Sequence, residues 1–161
     1  MSPAPSIRAV DPIGAEALAL LAQAAAEARA LYPELFAADG PPPSNPPLGK
    51  GEVYLVASDG AVPVACGALR RLDATTAEVR RMFVAAHARR RGLARAVLEA
   101  LEDAALEFGY DTLLLETGLR QRAAMSLYEA AGFARIPPFG SHVGDPTSVC
   151  FAKDIAKPAC T

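Results

Sequence analysis

Residue types that commonly carry metal chemistry are scarce in this chain. It has two histidines, His87 and His142, and neither stands near another histidine, a cysteine or a carboxylate at a spacing that metals favour. No metal site is therefore expected. The three cysteines, Cys66, Cys150 and Cys160, are odd in number and lack ligand spacing. The first two lie in apolar strand-like runs, so reduced core thiols are expected rather than a disulfide framework. A surplus of one charge is also missing. Sixteen basic and eighteen acidic residues give a formal charge of -2, which argues against nucleic acid or an anionic membrane as a partner bound through bulk electrostatics. Any basic function has to be local. No apolar run approaches the ~20 residues that span a bilayer, and Met1 to Val10 carries no charged-then-apolar leader. A cytoplasmic protein without a membrane partner is the expectation.

What the chain does have is the composition of an ordinary globular protein, 52% apolar and 21% charged. Its 161 residues suit one domain, 1–161, able to bury roughly two-thirds of its unfolded surface. Ile7 to Val10 reads as a short strand. Gly14 to about Ala30 reads as a helix with Leu18, Leu21, Ala25 and Ala28 on its apolar face. The proline-rich text from Asp39 to Lys50 forbids helix and interior strand alike. Glu52 to Ser58 and Val62 to Leu72 flank the turn signal Asp59-Gly60 and pair as a hairpin. After a turn at Asp73, the strand-like Thr76 to Val84 leads into a helix from Gly92 to Phe108. Its apolar face is read as Leu93, Val97, Ala100, Leu101, Ala104 and Phe108. Thr112 to Thr117 is a strand, Arg120 to Ala131 a helix stopped by Gly132, and Phe133 to Ile136 and Ser148 to Lys153 further strands.

The most informative stretch is Arg89-Arg90-Arg91-Gly92-Leu93-Ala94, placed between a strand and a helix. A helix start offers free N–H groups and partial positive charge, so it attracts anions and disfavours a cluster of arginines. Either the arginines are simply solvated, or a phosphate or pyrophosphate sits at the helix start with small Gly92 and Ala94 letting the backbone close around it. The surroundings add to this. Glu78 to Val84, the arginine turn, the amphipathic helix, Leu113 to Thr117 and Leu127-Tyr128-Glu129-Ala130-Ala131-Gly132-Phe133 together resemble the GNAT (general N-acetyltransferase) superfamily. The likeness runs from about Val53 to Lys153.

The resemblance implies an α/β (α+β) fold: a mixed, mostly antiparallel central sheet with a splayed parallel strand pair and flanking helices. It implies transfer of acetyl from acetyl-CoA, as co-substrate, to a small-molecule amine or a peptide acceptor by direct attack in a ternary complex. By the same likeness, Arg89, Arg90, Arg91, Gly92, Leu93 and Ala94 hold the pyrophosphate, chiefly through backbone N–H groups. Met82, Phe83 and Val84 lie along the pantetheine arm, and Gln121 stands where relatives carry an asparagine that touches it. Departures are Ala86, Ala88 and Arg90, the last standing where glycine is common and lacking glycine's access to positive φ.

Tyr128 stands where the family's tyrosine protonates the coenzyme A sulfur, a role that packing against the sheet can accompany. Glu78 is either the general base or a surface strand residue paired with Arg80 or Arg81. Glu116 is a second candidate base, with a salt bridge to an arginine as its other explanation, and ordered water a third source of the base. Gln121 is alternatively a surface helix residue. His142 is read as an exposed loop residue, with a substrate contact as the alternative. A non-catalytic acetyl-CoA-binding module and a protein lysine or N-terminal acetyltransferase are the competing functions, and many relatives form homodimers.

Overall fold

The computed structural model describes residues 5–36 and 40–156; Asp39 and Cys160 lie outside them. The elements follow in the order β1 (Ser6–Ala9), α1 (Ala15–Leu31), β2 (Val53–Asp59), β3 (Val62–Arg71), β4 (Thr76–Val84), α2 (Leu93–Phe108), β5 (Thr112–Gly118), α3 (Arg122–Ala130), β6 (Ala134–Ile136) and β7 (Ser148–Asp154). The strands form one sheet in the order β1-β2-β3-β4-β5-β7-β6. Every pairing is antiparallel except β4 with β5. This is the mixed, mostly antiparallel sheet the resemblance implies.

Local chemistry explains the joints. Gly60 turns the β2–β3 hairpin at φ 58°, a value glycine takes without penalty. The Asp73 carboxylate accepts the N–H groups of Thr75 and Thr76 at 2.9 and 2.8 Å and so closes the turn before β4. Both glycine stops act as read. Tyr110 N–H reaches back to the Ala105 carbonyl past Gly109, and Phe133 N–H to Tyr128 past Gly132.

Strand alternation divides the sheet into two faces. Leu55, Leu69, Ala77, Val79, Leu113 and Leu115 pack with α2 and with Tyr128 of α3. Tyr54, Val56, Cys66 and Ala68 pack instead with Ala17 and Leu20 of α1. The helix faces need correction. In α1 the buried residues are Ala17, Leu20 and Leu21, whereas Leu18 is 41% exposed. An alanine-rich helix is weakly apolar all round, so spacing alone does not mark which side the sheet covers. In α2, Leu98 and Ala105 are buried alongside Leu93, Val97 and Leu101, while Phe108 is 46% exposed in the last turn. Cys66 and Cys150 are buried free thiols, as expected. No helix among the described residues is long and apolar enough to cross a membrane.

The parallel pair is short. Register runs from Thr76 opposite Thr112 to Val79 opposite Leu115 and then stops. Immediately beyond, β4 bulges: Ala68 lies opposite Arg80 and Cys66 opposite Phe83, so Arg81 and Met82 share the place facing Gly67. Arg81 takes φ 60° there. An extra residue bends a strand and sharpens its twist, which turns β4 from β5 and leaves the flank from Arg80 to Val84 without a neighbouring strand.

Candidate active site

A cavity of about 500 Å³ occupies the divergence. Val79 to Phe83 of β4 form one wall, Glu116, Thr117, Gln121 and Tyr128 another, and the apolar side of α1 a third. Tyr32, at the end of α1, fixes the distance across. Its hydroxyl accepts the Arg120 N–H at 2.9 Å, and the Arg120 guanidinium lies 4.8 Å from its ring centre while bonding the Leu31 carbonyl at 2.6 Å. The β5–α3 connection is thereby tied to α1.

Tyr128 is 5% exposed and packs edge-on to Phe133 with ring centres 6.0 Å apart. Its hydroxyl has no hydrogen-bond partner among the described residues. Burial, and after it the Glu116 charge, pushes its pKa up to about 12, so the phenol stays protonated at neutral pH and can serve as a donor. Gln121 precedes α3 and uses its side-chain carbonyl locally, accepting the Gly118 N–H at 2.9 Å and the Thr117 hydroxyl at 3.1 Å.

The sequence left Glu78 open between base and surface residue. It is 6% exposed, with Arg80 3.5 Å away. The larger surprise is His142. It is not an exposed loop residue: its Nε2 lies 3.5 Å from Glu78 and its Nδ1 3.6 Å from Glu116, and its side chain is 17% exposed. Phe139 packs edge-on against the ring at 5.2 Å. Glu116 has no arginine partner among the described residues; it accepts the Ser148 hydroxyl at 2.6 Å. Two carboxylates from neighbouring strands thus flank one imidazole. The sequence did not decide between a substrate contact and an exposed loop residue for His142, because its contacts arise only when the 139–147 connection folds back over the sheet.

At the other end of the divergence lies the arginine turn. Arg90 and Gly92 both adopt positive φ, 65° and 75°, so the turn keeps a left-handed step even where glycine is absent. The first bond of α2 runs from Ala96 N–H to the Gly92 carbonyl, leaving the N–H groups of Leu93, Ala94 and Arg95 without intrahelical acceptors. A Cβ at Gly92 would meet no atom within 4 Å, so the concavity is open. The arginine side chains are largely occupied. Arg89 pairs with Glu27 of α1 and also donates to the Val84 carbonyl at 3.2 Å. Arg91 clasps Asp59 through two bonds of 2.7 and 3.0 Å. Backbone, more than guanidinium, is available to an anion here.

A family model described as acetyltransferase (GNAT) family matches residues 22–133. The chain belongs to the GNAT family. It is an N-acetyltransferase. A curated relative, the IAA acetyltransferase of Azospirillum brasilense, is 40% identical over 110 residues, covering 67% of this chain and 72% of the relative. A solved structure from Klebsiella pneumoniae, assigned as an acyl-CoA N-acyltransferase, superimposes with a TM-score of 0.76 at 30% identity, covering 94% of this chain and 97% of that one. The yncA acetyltransferase structure from Salmonella typhimurium, which holds acetyl-CoA, shares the fold at a TM-score of 0.65 and 19% identity, with 98% of each chain covered. The GNAT sheet of this protein therefore sets its strand divergence and the buried Tyr128 around one cavity, with the open helix start beyond the end of β4.

Proposed function

We propose that this GNAT protein, acting as one domain over 1–161 in the cytoplasm, transfers acetyl from acetyl-CoA to the amine of a small molecule or peptide within a ternary complex. The observation that carries the reading is a tyrosine, buried and free of hydrogen bonds among the described residues, in the wall of the cavity where β4 and β5 part. The cavity fits the co-substrate. The strandless flank of β4 from Met82 through Phe83 to Val84 offers backbone groups to the amides of the pantetheine arm. The turn from Arg89 through Arg90, Arg91, Gly92 and Leu93 to Ala94 offers N–H groups to a diphosphate, and Gln121 borders the arm.

Acetyl-CoA supplies an activated thioester, so that one C–N bond forms as one C–S bond breaks. Glu78 takes the proton the amine sheds, and His142, set between Glu78 and Glu116, is placed to pass it toward the surface. Tyr128 gives its proton to the departing sulfur and regains one from solvent. The acceptor enters from the α1 face, where Glu78, Glu116 and His142 lie. A homodimer is compatible with this arrangement.

Release of coenzyme A thiol from acetyl-CoA in the presence of an amine panel tests the reading. Tyr128→Phe should lower kcat by about 10²–10⁴-fold while acetyl-CoA still binds by calorimetry. A Tyr128→Phe variant that binds acetyl-CoA and acetylates amines as fast as the wild-type protein would remove the acid role.

A further inference from the structure

The acceptor side of the cavity carries more cations than carboxylates can answer. Arg81 is half-buried at the bulge, and its guanidinium bonds only neutral groups: the Asn45 side chain at 2.9 Å and the Ser44 carbonyl at 2.9 Å. Burial, then the neighbouring charge of Arg80, holds its pKa below the ordinary arginine value. Arg80 is 45% exposed and touches a carboxylate only at 3.5 Å, through Glu78. Both line the main cavity, and a second cavity of about 320 Å³ joins them to Arg70, Arg71 and Glu78. Arg70 is committed to Glu52 at 3.1 Å. Across the main cavity, Arg29 of α1 has no partner among the described residues. In a chain of formal charge -2, this gathering of guanidinium groups is a local feature, and half-buried charge without a counter-ion is unfavourable until an anion arrives.

Resting on the N-acetyltransferase reading, we propose that the acceptor is an α-amino acid, its carboxylate held by Arg80 and Arg81 while its amine faces Glu78. The spacing favours this class. Glu78 and Arg80 point from the same face of β4 with their charged atoms 3.5 Å apart, so the groups they recognise have to sit on the same or adjacent carbon atoms. Amine and carboxylate on one carbon meet that demand. Arg offers a planar fork that matches a carboxylate with two parallel bonds. Leu20, Leu21, Ala24 and Ala28 of α1 supply an apolar wall for the acceptor's side chain. A peptide N-terminus has an amide where the free amino acid has a carboxylate, and leaves the arginines unanswered.

Coenzyme A release is measured from acetyl-CoA with each of the twenty L-amino acids beside its own α-amide. The expected result is turnover of one or more acids with kcat/KM about 10- to 100-fold above the matching amide, the range a charge-assisted hydrogen bond gives. Arg80→Gln should collapse that ratio toward one and Arg80→Lys should keep part of it, with thermal melting as the check on folding. Amides equal to or better than acids would overturn the inference and favour a peptide acceptor. So would equal losses for acid and amide in Arg80→Gln, turnover confined to amines without a carboxylate, or binding of acetyl-CoA with no acceptor used. Failure of acetyl-CoA to bind in calorimetry would instead bring down the transferase reading.

Discussion

Arg90 holds φ 65° in the turn before α2, a conformation that costs a residue with a Cβ roughly 1–2 kcal/mol. Glycine would relieve that cost and return about 0.5–1 kcal/mol as lost chain entropy. Arg90→Gly is therefore expected to raise stability by up to about 1 kcal/mol, read as a shift in the urea midpoint at unchanged slope. A loss of stability would mean that the guanidinium holds the turn in a way its geometry does not reveal. The sequence located this turn because strand, arginines, glycine and helix follow one another in close succession, with only Ala85 to Ala88 between strand and arginines. It could not disclose that Arg89 would turn to Glu27 and Arg91 to Asp59, partners 62 and 32 residues away. The partners of His142 were illegible for the same reason: Glu78 lies 64 residues from it, and a loop residue's neighbours follow from the path of the loop, which no periodicity encodes.

Among the elements, β4 decides the site, and its bend depends on one small residue opposite. A Cβ at Gly67 would stand 2.7 Å from Met82 Sδ, 2.8 Å from Leu101 and 2.9 Å from Val97. Gly67→Ala is expected to cost about 1–3 kcal/mol through overpacking, measured by urea unfolding, and to displace Met82 within the cavity wall. No loss on unfolding would show that α2 gives way more readily than a packed helix should. Strand ends were legible from Asp59-Gly60 and Asp73 because turn chemistry is local. The bulge was not, since Arg-Arg-Met-Phe reads as uninterrupted strand and only register against β3 reveals the extra residue. The side of α1 that meets the sheet was equally hidden among its alanines.

For the molecule as a whole, alkaline pH is the direction of weakness. Burial raises Cys66 from 9.0 to about 11 and Tyr128 from 10.0 to about 12. Both groups are neutral in the fold and ionise first in the unfolded chain, so the stability they contribute is complete below the unfolded values and is lost as pH rises. Unfolding free energy should fall from about pH 9 onward, by up to about 1.4 kcal/mol per pH unit for each group titrating in its window. Urea midpoints at pH 8, 10 and 11 check this, with the fall between 10 and 11 reduced in Tyr128→Phe. A flat profile would mean that neither group is shielded from water. The order of strands was within reach of the sequence only through likeness to the GNAT superfamily. Spacing implies a hairpin and a parallel segment, but it does not say that β7 inserts between β5 and β6.

The proline segment that reads as a plain connection is stitched down on both flanks. Arg70 bonds the carbonyls of Pro46 and Pro47, Arg81 those of Ser44 and the Asn45 side chain, and Asn45 in turn the Pro12 carbonyl. With φ already fixed at its prolines, this stretch loses little freedom on being held. The rim of the cavity is in consequence a rigid template, and a visiting molecule that does not match it meets a wall that will not yield.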